Sequence, residues 1–157
     1  FAMLLFSGLG SILVGTMTGG LTKALQIALG STVLLGVLQA WVVPDLLHGF
    51  ALGLPMGVRL VTTAVVLAPL GFVMGMPFPL ALRIIRPEAA GIIPWAWAFN
   101  GWTSVVASLG TVYASRLMGY SQAFTIALAA YALAFMLAPR LAHIGDNLKG
   151  AATTPAA

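Results

Sequence analysis

Gly57-Val-Arg-Leu-Val-Thr-Thr-Ala-Val-Val-Leu-Ala-Pro-Leu-Gly-Phe-Val-Met-Gly-Met-Pro-Phe-Pro-Leu-Ala-Leu82 carries a single charge, Arg59, in 26 residues. A helix needs about 20 mostly apolar residues to cross the hydrocarbon core of a bilayer, and this stretch exceeds that length. The rest of the chain has the same character. Of its 157 residues 61% are hydrophobic and 6% charged, against roughly a quarter charged in an ordinary soluble domain. Seven Lys and Arg with three Asp and Glu cannot cover a water-exposed surface, so a soluble globular fold is excluded. The 18 Gly and 9 Pro fit transmembrane helices, where neighbouring helices repair the backbone bonds these residues weaken.

Working outward from residues 57–82, charges, prolines and glycine clusters delimit four more apolar runs: 1–18, 24–43, 91–115 and 121–139. The fold expected is an all-α polytopic transmembrane bundle of about five spans within residues 1–139. Residues 140–157 read as a polar cytoplasmic tail, disordered beyond Lys149. The chain opens on Phe1-Ala2-Met3 with a span already under way and no basic region ahead of it. That does not read as a signal peptide, and the expectation is that more chain precedes Phe1.

Assigning alternate connections to alternate sides places Lys23, Arg83, Arg86, Arg140 and Lys149 together, with Arg59 and Arg116 opposite. The positive-inside rule then puts the first group and the C-terminus in the cytoplasm. The net charge of +4 is scattered over loop ends rather than gathered in a patch, so anionic lipid headgroups, and not nucleic acid, are the partner it implies.

Helices in lipid associate through close backbone approach, which favours small residues at four-residue spacing. Ser7, Ser11, Gly15 and Gly19 form one such row, and Gly71 with Gly75 forms another. On the fourth run Ala96, Asn100, Ser104 and Ser108 share a face. All three rows suit helix packing. Asn100 is a strongly polar amide well inside a span and needs a partner, either a cap or interhelical bond that holds the fourth span against the third, or a substrate or cytoplasmic gate. Gln26 and Gln39 lie near span ends, within reach of water.

Pro77 and Pro79 each remove a backbone donor, so the third run should kink or end there, as a fixed bend near the surface or as a broken helix of the transporter kind. Pro94, Trp95 and Trp97 open the next span, with the indoles at headgroup depth. Arg83 and Arg86 anchor the neighbouring loop at the same interface.

Catalytic chemistry is not legible. Asp45, Glu88 and Asp146 fall in three separate connections, and His48 and His143 on opposite sides of the membrane. No carboxylate pair, metal site or cofactor site is expected, and the absence of cysteine excludes disulfides and thiolate ligands. No span holds an Asp, Glu or His for proton coupling.

Gly75-Met-Pro-Phe-Pro-Leu-Ala-Leu-Arg83, Ile93-Pro-Trp-Ala-Trp-Ala-Phe-Asn-Gly101 and Ser104-Val-Val-Ala-Ser108 are similar to the membrane domain of bacterial spermidine synthase-like proteins, a major facilitator-like region fused to a synthase-like domain. The Gly119-Tyr120 turn and Tyr131 fit the same pattern. The likeness covers about residues 70–135 well and the first two runs loosely. It implies one major facilitator-type half lacking its first helix, with residues 15–23 as the cytoplasmic loop between the second and third helices. The charges typical of that loop are reduced here to Lys23.

The function expected is therefore a non-catalytic membrane scaffold or accessory subunit, packed against lipids and other membrane subunits or a missing N-terminal half. The alternatives are part of a secondary transporter with its pathway along Asn100, Ser104 and Ser108, and the membrane anchor of a polyamine synthase-like enzyme whose soluble domain is not in this sequence.

Overall fold

The computed structural model describes residues 1–48, 53–85 and 90–153, with the backbone alone at 46–48, 90 and 141–153. Among the described residues every regular element is helical. They are α1 (Ala2–Thr16), α2 (Leu21–Trp41), α3 (Val43–His48), α4 (Met56–Met74), α5 (Pro77–Ile85), a 3-10 turn (Ala90–Ile92), α6 (Ile93–Met118) and α7 (Tyr120–Thr153). The expected loop at Arg86 and Glu88 lies outside the described residues.

Among the described residues three helices are long and apolar enough to cross a bilayer: Leu21–Trp41, the α4–α5 run Met56–Ile85, and Tyr120–Arg140 of α7. The other two expected spans fall short on different grounds. α1 is apolar but has 15 residues, about 22 Å of helix against a core of about 30 Å. α6 has 26 residues, but Asn100, Thr103, Ser104, Ser108, Thr111 and Ser115 dilute its hydropathy.

The chain divides into two compact units, Phe1–Leu80 and Ala81–Ala157. In the first, α4 packs against both α1 and α2. α2 buries Leu25, Ala28, Leu29, Thr32 and Gly36, a 3-4 periodicity that keeps one stripe of the helix covered. Ile27, Leu34 and Trp41 of the same helix stay exposed, as a lipid-facing surface requires. The α1–α2 connection turns at Gly20, whose φ of 66° lies in the left-handed region that glycine adopts without a Cβ clash.

The second unit is built on α6 and α7, joined through Gly119 (φ 90°, ψ 159°), a conformation essentially confined to glycine. α7 then runs without interruption for 34 residues, past Pro139. Residues 140–153, expected as a polar tail, continue the backbone of this helix.

The third expected span is divided. α4 ends at Met74 and α5 restarts at Pro77. Met76 N–H donates to the Val73 carbonyl at 3.2 Å, a tightened turn, rather than to Phe72 four residues back. Pro77 and Pro79 both fall in the first turn of α5, where backbone donors have no helical acceptor anyway.

Candidate functional site

Where α1 meets α4 the two backbones touch. The carbonyl oxygen of Phe72 occupies the place where a Cβ on Gly10 would stand, and the carbonyl oxygen of Ser7 occupies that of Gly75. A Cβ on Gly71 would lie 3.3 Å from both the Met3 oxygen and the Phe6 Cβ. Carbonyl against glycine Cα is the arrangement of Cα–H···O contacts between close helices. The Phe72 carbonyl, which Met76 leaves without its usual helical donor, points into this contact.

The α1 residues in the contact include Met3, Phe6, Ser7 and Gly10, and Val14, on the same side of the helix as Met3, Ser7 and Gly10, is fully buried. Ser11 and Gly15 are exposed, and a Cβ on Gly15 would meet nothing within 4 Å. The helix period explains the difference. Residues four apart are displaced by about 40° around the axis, so a strict four-residue row winds off any one face, whereas 4-3-4 spacing stays on it. Gly10 was therefore missed by a search at fixed spacing of four.

α2 is tied to α4 by a side chain that the sequence made look unimportant. Gln39 Nε2 donates to the Val66 carbonyl at 2.6 Å. Three residues on, Pro69 lies inside α4 and denies the Val65 carbonyl its donor while its ring presses on that turn. Gln39 thus reaches backbone in the stretch of α4 that proline opens.

The polar row of α6 is differently placed. Ser104 Oγ donates to the Asn100 carbonyl at 2.7 Å and Ser108 Oγ to the Ser104 carbonyl at 2.8 Å. Both serines are exposed. Thr103 Oγ1 also bonds its own helix, to the Phe99 carbonyl at 2.8 Å. Asn100 is half-buried, and its carboxamide has no hydrogen-bond partner among the described residues. Trp95 and Trp97 stand exposed at the start of α6, Trp95 at 77%. Phe99 and Trp102 pack ring to ring at 5.9 Å, tilted by 42°. Arg83 lies half-buried in the last turn of α5, where a cation complements the helix dipole; Arg86 lies outside the described residues.

Among the described residues no group of three or more His, Asp or Glu side chains could hold a metal ion. Among the described residues the arrangement offers a close helix contact and hydroxyls of Thr103, Ser104 and Ser108 that bond carbonyls of their own helix. No protein-family model, curated protein or solved structure matches this chain.

Proposed function

We propose that this chain is a non-catalytic scaffold or accessory subunit of the bacterial inner membrane, multi-pass, with its C-terminus in the cytoplasm and lipids and other membrane subunits as partners. The observation that carries the reading is the direct backbone contact of α1 with α4, next to helices whose outward surfaces are apolar. The hydroxyls of Thr32, Ser104 and Ser108 support it, because each bonds a carbonyl of its own helix.

About five spans remain the proposed count, with α1 and α6 added to the three longer helices. A 15-residue α1 would cross with local bilayer thinning or with flanking residues that extend the apolar segment. On this topology Trp41, Tyr113 and Tyr120 gather at the outer interface and Trp95 and Trp97 at the inner one, as two aromatic belts. The likeness to spermidine synthase-like membrane domains belongs to the same proposal and assigns no aminopropyl transfer to these residues. An anchor for such a synthase is compatible with it.

A secondary transporter is the second reading, and the half-buried Asn100 amide, without a hydrogen-bond partner among the described residues, is what favours it. The two separate cleanly. A scaffold predicts that Asn100→Ala or Ser104→Leu lowers membrane abundance or frees the chain from its partners in mild detergent, as read by mass spectrometry of the purified complex. A transporter predicts unchanged abundance with uptake abolished in whole cells.

A further inference from the structure

α4 is covered unevenly along its length. From Leu70 onward it is packed: Leu70 and Gly71 are buried, Gly71 and Gly75 meet the backbone of α1, and Met76 and Leu80 past the helix break are buried as well. No residue from Met56 to Pro69 is buried, and Leu60, Val61 and Val65 are each more than 60% exposed. α2 has the matching gradient. Its buried residues run from Leu25 to Gly36, while Val37, Leu38 and Trp41 towards its C-terminal end are exposed.

The change along α4 falls at Pro69. Proline has no N–H for the Val65 carbonyl, and its ring presses on the preceding turn, so the helix bends more easily there than where its ladder is complete. On one side of that joint, backbone packed on backbone leaves the helix no room to shift against α1. On the other side, the polar tie to α2 is the bond from Gln39 Nε2 to the Val66 carbonyl, three residues before the proline. Thr62 and Thr63 add no second tie, because their hydroxyls bond the Val58 and Arg59 carbonyls of their own helix. One side-chain hydrogen bond is a weak fastening inside a membrane protein, where the freed groups find other partners.

We infer that residues 56–68 of α4 form an arm hinged at Pro69 and latched by Gln39, with one position against α2 and one swung away from it. Residues 70–74 stay fixed on α1 in both. The device is internal to the first unit and goes beyond the scaffold reading, since it gives the bundle a moving part at one end only.

The chain contains no cysteine, so pairs of cysteines can be spin-labelled in the full-length protein directly. In lipid nanodiscs, pulsed electron-spin distances between Trp41→Cys and Leu60→Cys, both exposed, report the arm, and those between Ile27→Cys and Val73→Cys report the packed half. The arm pair is expected to give two distances and the packed pair one. Gln39→Leu should raise the ratio of the longer to the shorter arm distance about threefold, the population equivalent of one intramembrane hydrogen bond. Pro69→Ala gives the Val65 carbonyl its donor back, so it should reduce the arm pair to a single distance that Gln39→Leu no longer changes. A single arm distance in the unaltered protein would overturn the arm. Two distances that ignore Gln39→Leu would overturn the latch, and two that persist in Pro69→Ala would overturn the hinge. Two distances for the packed pair as well would mean that α2 and α4 separate as whole helices, which also defeats the inference.

Discussion

A single methyl group distinguishes the glycines of α1. At Gly10 it would run into the Phe72 carbonyl, and at Gly15 it would enter open space. Gly10→Ala is therefore expected to force α1 and α4 apart and to destabilise the first unit by about 2 kcal/mol. Gly15→Ala adds helix propensity without a collision and should be neutral or stabilising by up to about 1 kcal/mol. Thermal unfolding of both variants in detergent micelles, followed by loss of helix, gives the two signs. Equal effects would mean that α1 does not meet α4 through Gly10. The sequence held this information only in part. Small residues on α1 and the Gly71–Gly75 pair were legible, but which α1 face turns to α4 depends on where the 3.6-residue period carries Met3, Ser7 and Val14.

At the scale of elements, the ends of helices were more legible than their contacts. Gly19-Gly20, Pro77, Pro79 and Gly119 act through local backbone rules, and the turns and the α4–α5 break fall at them. Gln39 was passed over because its acceptor, Val66, lies 27 residues away, on a different helix. The Gln39 bond should behave as a cooperative pair with the proline that loosens its acceptor's helix. Gln39→Leu is expected to cost about 0.6 kcal/mol, the usual size of an intramembrane hydrogen bond. In a Pro69→Ala background, where Val65 regains its donor and the turn closes, the same change should cost measurably less. A double-mutant cycle on stability in micelles measures the difference, and strict additivity would disconnect Pro69 from Gln39.

For the molecule as a whole, the number of crossings has direct readings. Cysteines placed one at a time at Lys23, Asp45, Arg116 and Arg140 can be probed with an impermeant maleimide on intact and on lysed cells. Five spans predict labelling from outside at 45 and 116 and protection at 23 and 140. If α6 does not cross, 116 and 140 exchange their relation: two positions joined by one span, α7, must still lie on opposite sides, so 116 becomes protected and 140 labelled. The pairing of α1 with α4 also has a temporal side. Gly10 and Phe72 are far apart along the chain, so a ribosome making ~5–20 residues per second completes the partner of α1 roughly 3–12 s after α1 itself. During that interval the glycine face of α1 has no α4 to cover it. The first unit is thus assembled by a late arrival, and any chaperone of its biogenesis would have to shelter α1 until α4 has been made.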